Sequence, residues 1–372
     1  MAPTHVLDNY YLAITAIVTV GFQLACFLVA YSCQFDKITG PSQLDQPSPP
    51  KENPKFPLTN QRGPDLAGGL NFTMLAILTL ALSGAGAGVD LHPRQLVVSL
   101  FMIAWSVRLA GFLFFRILKT GKDERFNDMR GRFLSFLGFW VFQMLWVWTV
   151  SLPVTLLNSP NVTRYPQRPF GTGRDVAGVV LFAVGFVFEA GGDVQKYLWK
   201  ARQTRESNRT AVCDSGFFAL SRHPNYFGDI IIQWSIFMIA VSAAADGYVH
   251  GQAYKALYAS ILGPVFITLL LLFVSGMPLA ERPKAKDRYE KGNNWAGYKR
   301  WLDRTSPLIP LPPQLYARVP VFLKRSVFLE LPMYVFDPAK HSDVATPGGG
   351  RDGGDGTGRD NQGRESAEQR LV

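Results

Sequence analysis

The run Ser221-Arg222-His223-Pro224-Asn225-Tyr226-Phe227-Gly228-Asp229 is the sharpest concentration of polar side chains set against an apolar stretch in this sequence. Pro224 suits the first turn of a helix, where a missing N–H is no loss. In such a helix Asn225, Asp229 and Gln233 stand at i, i+4 and i+8, so three hydrogen-bonding side chains share one face and point into the surrounding bundle. The same residues also fit an interfacial cap whose arginine snorkels to the headgroups.

Upstream, Glu189, Asp193, Lys196 and Lys200 recur at i, i+4, i+7 and i+11 and give one helix an ionic face. Ionisable groups at the end of a spanning helix normally face protein or a water-filled cavity, which makes them site candidates; a self-paired ion ladder has the same spacing. Arg108 lies halfway along another apolar run, where a charge costs roughly 2.5–3.5 kcal/mol on insertion scales. It needs a partner, and Glu189 is the best carboxylate on offer. The stretch Arg116, Lys119, Gly121, Lys122, Asp123, Glu124 and Arg125 could meet phosphates as point charges and forks, as ordinary cytosolic loops also could. Pro278, Glu281, Arg282, Arg288, Tyr289, Tyr298, Lys299 and Arg300 make a basic, aromatic stretch able to cover a nucleotide or to lie on a membrane surface.

The elements that must position these residues are apolar. Of 372 residues only 18% are charged and 48% are hydrophobic, against about 25% charged in soluble domains. Seven runs are candidate spans, each about the 20 residues that a helix needs: Tyr10 to Cys33, Leu70 to Val89, Gln95 to Leu118, Phe133 to Leu157, Val176 to Gly192, Ile230 to Ala244 and Ala256 to Met277. With no alternating ten-residue strands, an all-α polytopic membrane bundle of about seven transmembrane helices is expected rather than a barrel. Lys and Arg crowd the first, third and fifth loops, which places these in the cytosol, the N-terminus outside and the C-terminus in the cytosol. The net charge of +10 follows from this topology, and no nucleic-acid surface is expected. The chain divides into residues 1–69, a retained first helix with a Pro-rich linker from Gly40 to Pro64; residues 70–337, the membrane domain; and residues 338–372, a Gly-rich tail too poor in apolar side chains to fold.

Other patterns carry no chemistry. Gly84-Ala-Gly86-Ala-Gly88 ends an apolar segment instead of following a strand, so it is no dinucleotide fingerprint. Asp287-Arg288-Tyr289 follows the last span, unlike a receptor motif. Cys26, Cys33 and Cys213 make neither a disulfide framework nor a zinc site, and His5, His92, His250 and His341 are scattered.

Taken in order, Gly121-Lys122-Asp123 with Arg125-Phe126, Phe188-Glu189 with Asp193, Ser221 to Asp229, Ser275-Gly276-Met277-Pro278 with Glu281, and Arg304-Thr305-Ser306-Pro307 resemble an uncharacterised family of membrane proteins related to steroid 5α-reductases, over about residues 65 to 335. The Arg-His-Pro-x-Tyr core is shared with sterol reductases and isoprenylcysteine methyltransferases. The resemblance implies NADPH bound among the cytosolic halves of the later helices, a lipid-soluble substrate arriving from the bilayer, membrane-lipid contact, and the endoplasmic reticulum. It implies that Asn225, Tyr226 and Asp229 orient the nicotinamide end, and that Lys200, Arg222 and Arg282 meet the phosphates. Asp193, His223, Tyr289 and Tyr298 line the nucleotide, and Arg108 or Glu189 stands near the substrate. The Glu and Tyr that hold the ketone in the steroid enzymes have no clear counterpart; Arg108 and Leu109 lie near where the Tyr would fall. An S-adenosylmethionine-dependent methyltransferase and a non-catalytic lipid-binding scaffold are the alternative readings.

Overall fold

Apolar runs in lipid satisfy their backbone within themselves, as helices. The computed structural model describes residues 8–38, 63–87, 91–120, 133–206 and 210–342, and among these there is no strand. The helices are α1 Leu12–Ile38, α2 Gly63–Ala87, α3 Pro93–Thr120, α4 Phe133–Val150, α5 Leu152–Leu157, α6 Pro160–Thr163, α7 Gly173–Arg205, α8 Phe217–Leu220, α9 Pro224–Ser242, α10 Gly251–Ala259, α11 Leu262–Leu269, α12 Met277–Glu290, α13 Trp295–Arg304, α14 Pro313–Arg318, α15 Val321–Ser326 and α16 Pro338–His341, with a π-helical turn, Leu270–Val274, between α11 and α12.

Among the described residues, five stretches are long and apolar enough to cross a membrane: Leu12–Tyr31, Leu66–Gly84, Pro93–Phe115, Gly173–Arg205 and Gly251–Glu290. The expected fourth run breaks at Ser151, where Pro153 falls in the first turn of α5. The sixth begins at Pro224, not Ile230, because the proline opens the helix and draws Asn225 and Asp229 into it. The seventh is interrupted at Ser260 and Ile261 and again at the π turn. Most of the Pro-rich linker, the basic residues Lys122 and Arg125 of the third loop, and the tail beyond residue 342 lie outside the described residues, whereas Gly63 and Pro64 already belong to α2. Pro338–His341, assigned above to the tail, is a helical turn capped by Asp337.

The core lies where α2, α3, α4 and α9 meet, around Phe72, whose ring stands edge-on to Trp105 and Trp146 at 5.0 Å each. What organises the site is α7. Its buried residues are Asp175, Gly178, Phe182, Gly185, Glu189 and Gly192, alternating three and four apart, as in the seam of a coiled coil. One half of the seam faces α3: Arg94 donates to Asp175, Phe101 stacks on Phe182, and Arg108 donates to Glu189. All three rungs span 81 positions, so α3 and α7 run parallel. The glycines face α9, which runs antiparallel: Gly178 meets Ile239, Gly185 meets Gly228 and Ile232, and Gly192 meets Pro224 and Asn225. A Thr172–Asp175 capping box starts α7. Asp175 also takes two guanidinium N–H groups of Arg94, at 2.9 and 2.8 Å, so this fully buried charge pair is satisfied.

Candidate functional site

With a rise of 1.5 Å per residue, the 33 residues of α7 make a rod about 50 Å long, well beyond the ~30 Å hydrocarbon core. Measured from Gly173, Glu189 lies roughly 24 Å along it and Asp193 roughly 30 Å, with Lys196 and Lys200 further on. The ionic face noted in the sequence therefore divides into two neighbouring groups.

The inner group joins α3, α7 and α9. Arg108 donates to Glu189 and, at 2.8 Å, to Asp193. The carboxylate chosen from sequence is thus the one reached, together with Asp193, and the lysines of the same face do not form that pair. Asp229 lies within electrostatic reach of Glu189, Arg108 and Asp193, and the indole of Trp105 sits beside Glu189 and Asp229. What distinguishes this group is its unfilled hydrogen-bonding capacity. Asn225 Oδ1, Asp229 Oδ1, Glu189 Oε2, both amide atoms of Gln233, Arg108 Nε and Trp105 Nε1 are buried without a hydrogen-bond partner. Buried polar atoms are normally paired, so acceptors from α7 and α9 and donors from α3 remain open in the same region. Asn225, Asp229 and Gln233 do share the inward face that their spacing predicts.

The outer group surrounds a cavity of about 400 Å³ lined by Lys196, Trp199, Lys200, Arg222, His223, Glu281, Lys284, Arg288 and Tyr298, among others. Its floor is a closed node. Arg222 donates to Glu281 at 2.8 Å, to Glu330, and to the carbonyls of Thr305 and Leu302. Burial works against its charge, but the two carboxylates outweigh this and raise its pKa. His223 Nε2 meets the other Glu281 oxygen at 2.7 Å, while burial lowers the imidazole pKa and leaves it neutral at pH 7. The only carboxylate in the lining is therefore already engaged. Arg288 binds the carbonyls of Thr210, Ala211 and Asn293 and lies over the Tyr298 ring at 4.8 Å; Lys284 approaches the same ring at 5.6 Å. Carbonyls and rings orient a cation without cancelling its charge, and the cavity is left net positive.

Of the residues singled out in the sequence, Lys200, Arg222, His223 and Tyr298 line this cavity, and Arg108, Glu189, Asp193, Asn225 and Asp229 form the inner group. Arg222 is drawn into the node, with its N–H groups given to protein acceptors instead of held open for a phosphate. Tyr226 stacks flat on His223, with ring centres 4.9 Å apart. Arg282 turns away to the Pro332 carbonyl, and Tyr289 packs against Trp295 and Phe336, because α12 presents Glu281, Lys284 and Arg288 to the cavity and its other faces elsewhere. Sequence reasoning missed Trp105, Trp199, Lys284 and the glycine seam; the seven-residue spacing of Gly178, Gly185 and Gly192 was the available signal for the last.

Neither a curated protein nor a solved structure matches the chain. A family model described as a protein of unknown function, DUF1295, matches residues 58–302, well over half of the sequence and both groups of the site, and the chain belongs to that family.

Proposed function

We propose that this is an NADPH-dependent reductase of an activated carbon–carbon double bond in a lipid-like substrate. The observation that carries the reading is the set of unpartnered buried acceptors, Asn225 Oδ1 and Asp229 Oδ1, beside Gln233. Left unsatisfied, each costs about 1–3 kcal/mol; a carboxamide, with two N–H donors and a carbonyl, fits them. Next along the same helix pair lies the positive cavity, at a volume usual for small-molecule sites, where Lys196, Lys200, Lys284 and Arg288 can offset phosphate charge.

When bound, NADPH supplies a hydride. The protein's part is to orient and polarise. Asn225 and Asp229 hold the carboxamide end, and Tyr298 and Trp199 offer ring faces in the cavity. Arg108 Nε is a buried donor that can meet a substrate carbonyl, where it would stabilise negative charge as it develops on oxygen, while the Trp105 indole faces the Glu189 and Asp229 carboxylates. Glu189 and Asp193 fix the Arg108 guanidinium. On this reading the chain makes seven crossings in the endoplasmic reticulum membrane, with the N-terminus outside and the C-terminus cytosolic. The parallel course of α3 and α7 supports that order, since alternating third and fifth spans run the same way.

The test is equilibrium binding of NADPH and, separately, S-adenosylmethionine to the detergent-purified chain, with Asn225→Ala and Asp229→Ala as variants. NADPH binding lost in both variants, with unfolding temperatures not lowered, is the expected result. Binding of S-adenosylmethionine alone would make it a methyltransferase, and binding of neither by folded protein a scaffold.

A further inference from the structure

The C-terminal stretch from α14 through Val335 is clasped to the bundle by polar contacts. Glu330 accepts from Arg222, Lys324 donates to the Asp303 carbonyl at 3.3 Å, and the Tyr334 hydroxyl donates to the Leu272 carbonyl, while within the stretch the Tyr316 hydroxyl donates to Glu330 at 3.0 Å. Much of its apolar surface is nevertheless outside. Phe322 is 73% exposed and Val321 63%, and Val327, Met333, Val335 and Leu315 are exposed as well. Single exposed apolar residues are ordinary, but a contiguous group marks a contact surface.

Two observations identify the contact. The first is continuity with the membrane: Leu272 lies in the run Leu270–Val274 of a candidate span, and its neighbours Phe273 and Val274 are exposed. The Tyr334 bond therefore holds Met333 and Val335 against the end of a lipid-facing run. The second is charge. In α15, Arg325 follows Phe322 by three residues and Val321 by four, so all three share a face, and exposed Arg318 ends α14 just before it. An apolar face with a cationic flank, outside any span but joined to one, is the make-up of an element lying in the headgroup layer.

We propose that residues 313–335 form an interfacial membrane anchor, with Val321, Phe322 and Val327 set into the headgroup–acyl boundary and Arg318 and Arg325 holding anionic phospholipid. Because Glu330 on this anchor binds Arg222, lipid contact is tied directly to the floor of the basic cavity. The inference rests on membrane embedding and not on the reaction proposed above.

The test uses the full chain in lipid nanodiscs, with Cys26, Cys33 and Cys213 replaced by alanine and a nitroxide attached through Phe322→Cys or, as a control, through Arg300→Cys on the exposed face of α13. Collision with oxygen, which concentrates in lipid, is compared with collision with a water-soluble nickel chelate. The label at 322 should favour oxygen at least threefold more than the label at 300, and more strongly in phosphatidylglycerol than in phosphatidylcholine. Arg318→Gln with Arg325→Gln should abolish that lipid difference. Equal nickel access at 322 and 300 would overturn the anchor, as would protection that appears only with two chains per disc. Indifference of the unaltered arginines to lipid charge would overturn the headgroup assignment.

Discussion

Gly185 and Gly228 meet backbone to backbone: a methyl group on Gly228 would stand 2.5 Å from the Gly185 carbonyl oxygen and 2.5 Å from the Glu189 nitrogen. That approach brings the Glu189 turn of α7 against the Asn225–Asp229 turn of α9. Gly228→Ala should therefore destabilise the chain by about 1–3 kcal/mol through overpacking and weaken nucleotide binding as well. Gly111→Ala, where no atom lies within 4 Å, should leave both intact. Thermal unfolding in detergent, alongside the binding assay, checks the pair.

Removing Arg108 strands two carboxylates beside Asp229. Arg108→Ala should cost about 3–5 kcal/mol, the usual effect of breaking a buried pair. Adding Glu189→Gln and Asp193→Asn should recover a large part of it, because neutral amides need no counter-charge. Denaturation of the single, double and triple variants measures the coupling directly.

Stability should also depend on His223. In the unfolded chain its imidazole takes a proton near pH 6.5, whereas in the folded chain burial keeps it neutral to lower pH. Below about pH 6.5 the unfolded state thus binds more protons, and stability falls with pH until the folded-state group is also protonated. His223→Gln should flatten the unfolding-temperature profile between pH 7.5 and 5.5. An unchanged slope would assign the pH dependence to another group.

The cavity cations should act through charge. Lys200→Ala and Lys284→Ala should each weaken NADPH binding about three- to tenfold at low ionic strength, and less at 0.5 M salt, where screening is strong. Tyr289→Phe should change nothing, since that ring packs against Trp295 and Phe336 and does not line the cavity. Titrations at two salt concentrations distinguish these outcomes.

Helical class and membrane character were legible because an apolar run must satisfy its own backbone. The α7 ionic face and the Arg108–Glu189 pair were legible because a lone charge in such a run demands an opposite one. Helix ends were less so: Pro224 and Pro153 each stand in the first turn of a helix where average hydropathy reads only a fading or continuing run. Least legible was the node at Arg222. Glu281 and Glu330 lie 59 and 108 positions away and share no period with it, so only the tertiary fold could show that this arginine is engaged. The buried face of α7 was missed because half of its seam is glycine, which hydrophobic patterning does not register.

The shared 81-residue offset between α3 and α7 has a mechanical consequence. A piston-like slide of either helix by one turn, about 5.4 Å, would part Arg94 from Asp175, Phe101 from Phe182 and Arg108 from Glu189 together. The two helices therefore behave as a single strut, and the glycine seam seats α9 along its length.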